Sequence, residues 1–307
     1  MAKNLKDIRK RIDSVKNTQK ITRAMKMVAT AKLRRAEEAV EASRPYANEL
    51  RRVIASLADR VEEEAHPLLE QRDLREKVLI IVVSTDRGLC GSFNANLFRR
   101  IRDFIEVVDV ANEDVHVSTI GDKAELQYGR VETEVLDNYP GVIGDITYAK
   151  ARDIAQDGIE AFRSGNYDAV YVAYNEFISA IQYEQRIERM LPLSIETLLK
   201  AVGVKPEDQE EIDLEEEAPG TSDYIFEPDE HSLLSYTLPR HLEVQVLQAL
   251  LESGAAEQAA RMTAMDNATE NAEEMIDDLT LEFNRARQAA ITSEIMEIVS
   301  GAEAMKA

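Results

Sequence analysis

Residues 86 to 91, "DRGLCG", hold the side chains that come nearest to chemistry in this sequence. Glycines in a strand-to-helix turn let backbone N–H groups approach an anion, which would suit a phosphate. A thiol at the start of the following helix, here Cys90, is eased toward the thiolate, which would suit a nucleophile. Neither chemistry is completed nearby: the dinucleotide fingerprint is absent, as is the phosphate-loop pattern ending in Gly-Lys-Ser/Thr. Nothing in the sequence marks a partner base for Cys90. The competing reading is a tight structural turn carrying a small buried thiol, set against a small-molecule or nucleotide-dependent enzyme that uses Cys90.

The four histidines, His66, His116, His231 and His241, are scattered, and none forms a metal-ligand spacing with another His or Cys. The pairs Glu37 with Glu38, Glu273 with Glu274 and Asp277 with Asp278 fall on helix faces, where solvation explains them. No catalytic residue, no metal site and no cofactor is therefore expected.

The elements that would position these residues divide the chain into four. An apolar stripe at Leu5, Ile8, Ile12 and Val15 continues through Met25, Val28, Leu33, Ala36 and Val40, in helical steps of three and four. Pro45 should bend this helix, which resumes at Leu50, Val53, Ile54 and Leu57, giving an N-terminal helix over 1–62. Residues 76–195 alternate short β-branched runs, "VLIIVVS", "VHVSTIG" and "YDAVYVAYNEF", with amphipathic stretches, which predicts a layered α/β domain. Residues 196–232, with "PEDQEEIDLEEEAPG", read as an acidic linker. From 233 to 307 a second long helix follows. Met262, Met265, Thr269, Ala272, Ile276, Leu279, Phe283, Ala286 and Ala290 form a coiled-coil seam, after which the stripe shifts to Ile291, Ile295 and Ile298 and so faces a different partner.

The net charge of −21 is segregated. Residues 1–36 hold twelve Lys or Arg against two Asp, a balance of +10, whereas residues 262–297 hold nine acids and two arginines, a balance of −7. Complementary charge and two unsatisfied stripes imply that the terminal helices pair with each other, antiparallel. The fold class is therefore α/β: a long antiparallel coiled coil of N- and C-terminal helices plus a central Rossmann-like α/β domain. The basic helix lacks interleaved aromatics, which argues against nucleic acid as its ligand. No apolar run has the length of a membrane span or a signal peptide, so a direct span is not expected. A single cysteine fits a reducing compartment.

The segments "NTQKITRAMKMVATAKLRRAEEAVEASRPY", "STDRGLCGSFN", "EQAARMTAMDNATENAEEMI" and "FNRARQAAITSEIMEIVSGAEA" together resemble the gamma subunit of bacterial F-type ATP synthases, in the same order along nearly the whole chain. The acidic insert at 205–222 is longer than is usual in that family. The resemblance implies a central-stalk rotor subunit that transmits torque between an ion-driven membrane ring and a catalytic head. It implies as partners the alpha and beta subunits of the head, the epsilon subunit and the ring of c subunits. The location it implies is peripheral, at the cytoplasmic face of the inner membrane. Matched position by position, Met25, Arg261, Arg287, Gln288, Thr292 and Glu294 fall where the family contacts its stator. Methionine and alanine beside Arg23, Lys26, Lys32, Arg34 and Arg35 suit a surface that must slide without locking.

Overall fold

The computed structural model describes residues 5–58, 66–72, 77–108, 114–131, 133–194 and 229–304. The acidic insert at 205–222 lies outside them. Two long helices open and close the chain, α1 (Leu5–Ala58) and α5 (Glu230–Ala304). Between them run β1 (Val78–Val83), α2 (Phe93–Val108), β2 (Val115–Ile120), α3 (Asp122–Tyr128), β3 (Val135–Tyr139), α4 (Tyr148–Arg163), β4 (Ala169–Ser179) and β5 (Gln182–Leu191). The chain forms two compact units: Met1–Ala31 with Arg261–Ala307, and Lys32–Ala260.

In the larger unit the strands form one sheet in the order β3-β2-β1-β4-β5. The first four are parallel to their neighbours and β5 is antiparallel to β4. That is the doubly wound arrangement, because the chain walks outward from β1 to β3 and then returns through α4 to the other side of β1. All six residues of β1, "VLIIVV", are buried, as a central strand covered on both faces must be. Alternate residues serve opposite layers. Leu79, Ile81 and Val83 pack with α4, Ile54 and Leu57 of α1, and Leu242, Val246 and Leu250 of α5. Val78, Ile80 and Val82 pack with Leu97 and Ile101 of α2 and Ala124 and Tyr128 of α3.

Pro45 lies inside α1 and Pro239 inside α5, and neither ends its helix. The start of α5 is fixed by Asp229, whose carboxylate accepts from the Ser232 N–H at 2.8 Å and from its hydroxyl at 2.7 Å, the N-cap arrangement.

In the smaller unit the two helices pair antiparallel. Ile8 and Ile12 cluster with Leu279, joined by Val15, Phe283 and Ala286, while Thr22 meets Thr269 and Lys26 meets Asp266. Met265, Thr269, Ala272 and Leu279 are buried, as the heptad spacing predicts. On α1 the expectation fails at one place: Val28 is 57% exposed and Ala29 is buried instead. Counting sevens from Val15 reaches Thr22 and Ala29, and it is this 3.5-residue repeat, rather than the most apolar side chain, that faces the partner helix.

One glycine is held by close approach. Gly121, between β2 and α3, has φ of 86°, and a Cβ there would come within 2.6 Å of the Ser84 carbonyl oxygen. Gly121→Ala is expected to destabilise the larger unit by about 2–4 kcal/mol, from left-handed backbone strain plus overpacking. Urea unfolding of both proteins at one pH checks this.

Candidate coupling surface

In doubly wound sheets ligands enter the crevice at the carboxyl ends of the strands, where the winding reverses. Here that point lies between β1 and β4, beside the "DRGLCG" turn. The crevice is filled by protein. Cys90 and Phe93 are buried against Ala256 and Ala260 of α5 and against Phe177 and Tyr183, the Phe93 and Tyr183 rings lying 5.4 Å apart. The turn spends its polar groups on itself: the Thr85 N–H donates to Asn94 Oδ1 at 3.2 Å, Asn94 Nδ2 donates to Thr85 Oγ1 at 2.8 Å, and the Thr85 hydroxyl donates to the Arg87 carbonyl at 2.7 Å. Ser84 Oγ donates toward the Ile120 carbonyl at 2.9 Å and accepts from the Ala124 N–H at 2.8 Å. Leu89 and Gly91 take positive φ, 65° and 61°, to close the loop. The Asn94 amide donates toward the Cys90 sulfur at 3.6 Å. This is the structural turn, with a packed thiol.

The histidines are likewise separate. His66 Nδ1 accepts from the Leu68 N–H at 3.2 Å, and His116 Nδ1 lies 2.7 Å from the Tyr167 hydroxyl. His241 is buried, and desolvation, helped by the Arg51 charge, pushes its pKa down to about 4. Among the described residues no group of three His, Cys, Asp or Glu side chains could hold a metal ion.

What remains conspicuous is the surface of the smaller unit. The six residues singled out in the sequence all lie in it, in two groups. Met25 is half-buried beside Lys26, whose ammonium lies 2.5 Å from Asp266, so Met25 and the half-buried Arg261 are near one end. Arg287, Gln288, Thr292 and Glu294 are exposed, and the Thr292 hydroxyl donates to the Gln288 carbonyl at 2.9 Å. They lie some 26 residues further along α5, roughly 39 Å at 1.5 Å per residue. The two groups do not touch.

Near the first group Ile21, Met27 and Val28 stand 57–63% exposed on α1 among Lys20 and Arg23. Around the second, every residue from 291 to 300 is exposed, including Ile291, Ile295, Met296, Ile298 and Val299. The register accounts for this: Ile8 and Ile12 already meet Leu279, so α5 continues beyond the described start of α1. Apolar patches of this kind mark surfaces made to meet protein. The shift of stripe at Ile291 implies a different partner for this end, and in the structure its residues from 291 to 300 are all exposed. The sequence does not announce the Thr22–Thr269 pair, whose signal is the seven-residue count from Val15, nor the Lys26–Asp266 pair, whose signal is only the complementary charge of the two helices.

Fold and surface together define a class: an antiparallel helix pair with exposed apolar ends, joined to a Rossmann-like unit whose ligand crevice is closed. Residues 4–305 match the ATP synthase family. Relatives described as ATP synthase gamma chain include those of Geobacter metallireducens, 45% identical over 99% of both chains, and of Salinibacter ruber, 42% identical over 99% of this chain and 98% of the relative. The chain belongs to the ATP synthase gamma chain family. Its fold resembles a chain of the Euglena gracilis mitochondrial ATP synthase rotor, with TM-score 0.63, 20% identity and coverage of 94% of this chain and 98% of that one. It also resembles a chain in the central stalk and c-ring structure of the Tetrahymena thermophila enzyme, with TM-score 0.58, 23% identity and coverage of 81% and 99%.

The polar pairs of the seam generate a stability test. One of the two hydroxyls donates to the other, and each also has a backbone carbonyl within reach, Met265 at 2.7 Å from Thr269 Oγ1 and Gln19 at 3.1 Å from Thr22 Oγ1, so each can donate there when its partner is removed. A double-mutant cycle with Thr22→Val and Thr269→Val should give a coupling of only ~1 kcal/mol, and Asp266→Ala should cost below ~1 kcal/mol because both members of that pair are partly exposed. Thermal unfolding of the four cycle proteins and of Asp266→Ala reads both values.

Proposed function

We propose that this chain is the central-stalk rotor subunit of an F-type ATP synthase, transmitting torque between an ion-driven membrane ring and a catalytic head. The observation that carries the reading is the match to gamma chains across 99% of the sequence. The closed crevice of the Rossmann-like unit agrees with it, because a torque element needs stiffness and no catalytic centre. Catalysis then belongs to the alpha and beta subunits, and this chain supplies none of its own.

The helix pair enters the head, with Met25 and Arg261 facing one set of stator contacts and Arg287, Gln288, Thr292 and Glu294 another. The α/β layers meet the epsilon subunit and the ring of c subunits. Among the described residues no helix is long and apolar enough to cross a membrane. The chain is held peripherally by its partners, at the cytoplasmic face of a bacterial inner membrane. Exposed methionines such as Met27, Met275 and Met296 suit contacts that must repack at every angle.

Calorimetry with the purified full-length chain should show no saturable ATP binding; micromolar affinity would overturn the reading. In the assembled complex, Met25→Leu should leave coupling intact, being volume-conserving. Met25→Lys adds an ammonium able to form a partly desolvated ion pair with an acidic stator loop, worth ~1.5–3 kcal/mol, or roughly tenfold or more in the rate of leaving that angle. Vesicles carrying the lysine variant should hydrolyse ATP yet pump fewer ions per ATP. Equal behaviour of the lysine, leucine and unmodified proteins would show that Met25 does not face the moving contact.

A further inference from the structure

In the larger unit α1, β4, β5 and α5 line a partly open cavity of about 590 Å³ whose lining holds three arginines and three glutamates. Most of its charges are already engaged. Arg51 of α1 donates to Asn48 Oδ1 at 3.1 Å and to Gln248 Oε1 at 2.7 Å. On β4 and β5, Glu188 accepts from the buried Tyr174 hydroxyl at 3.0 Å and from Gln245 Nε2 at 3.5 Å, while Glu176 accepts from Arg186 at 2.7 Å. Arg44 and Arg189 complete the cationic side of the lining, and His241 is buried and neutral. Two acceptors on α5, Gln245 Oε1 and Glu252 Oε2, are inaccessible to solvent and have no hydrogen-bond donor among the described residues.

A carboxylate oxygen out of solvent, undonated and sharing its cavity with two further carboxylates is costly to keep ionised, and the usual relief is to take up a proton. We propose that Glu252 is a proton-binding site whose ionisation loosens the packing of α5 against β4 and β5. Burial first, and then the Glu176 charge, push its pKa up from the ordinary glutamate value of 4.5 to about 7, against the opposing pull of Arg44. The site therefore changes state near neutral pH.

The native state holds more protons than the unfolded one between pH 4.5 and 7, so this group's contribution falls as pH rises through that window. His241, lowered from 6.5 to about 4, acts in the opposite sense, its contribution rising over that lower window. Comparison with a protein that keeps His241 cancels the second effect.

The test uses the full-length chain and its Glu252→Gln variant, which mimics the protonated carboxyl. Between pH 5 and pH 8 the ratio of their unfolding constants should change by on the order of 30-fold in favour of the variant, after allowance for partial exposure. Amide exchange over residues 245–256, corrected for intrinsic rates, should accelerate with pH in the wild type alone. If the glutamine variant does not fold, infrared titration of the wild type decides: a protonated-carboxyl band that persists to pH 6 and vanishes by pH 8 supports the proposal. Parallel pH dependence of the two proteins, or loss of every such band by pH 5.5, would overturn it.

Discussion

One seam of buried side chains, running between α1 and α5, sets the terms for the smaller unit. Ile8, Ile12 and Leu279 are large and nearly inaccessible, each contributing about 1.5–3 kcal/mol on leaving water. Further along, Ala29, Ala272 and the Thr22–Thr269 pair are small, which lets the backbones approach without gaps. Helix propensity alone does not hold a register, since one turn of slip keeps every backbone bond. The unequal sizes of the seam residues, large at one end and small further along, do, and the Lys26–Asp266 pair agrees with the same register. Because the seam consumes one stripe of each helix, the remaining faces are free to carry cations on α1 and acids on α5.

The larger unit illustrates how a fold can keep its topology and lose its usual use. A 3-2-1-4-5 sheet ordinarily leaves a crevice where the winding reverses. Phe93, Phe177, Tyr183 and the alanines of α5 fill it, and the neighbouring turn satisfies its own donors through Thr85, Asn94 and Ser84. Little is left that could stabilise a phosphate or a thiolate.

Much of this was legible in the sequence, for identifiable reasons. β1 announces itself because a strand buried on both faces must be a continuous apolar run, and the α5 seam because heptads leave a period. β3 does not, because "VLDNY" is a half-buried edge with two polar residues in five. Val28 misled because apolarity is weaker evidence than register: Thr22 and Ala29 occupy the seam by spacing. The cavity around Glu252 could not have been found at all, since Arg44, Glu176, Glu188 and Glu252 meet only through tertiary packing. Glycines in "DRGLCG" suggest a phosphate cradle because a missing side chain lets backbone N–H groups approach an anion, whereas in the structure Gly91 serves the tight turn through its positive φ.

The central claim, that this chain moves as a torque element while chemistry occurs elsewhere, is tested most directly by watching it turn. Val107 is 82% exposed whereas the native thiol, Cys90, is buried, so Val107→Cys offers a selective attachment point for an optical label. In the assembled, surface-immobilised complex, addition of ATP should produce continuous unidirectional rotation of the label. A label that stays fixed while ATP is hydrolysed at the full rate would contradict the account.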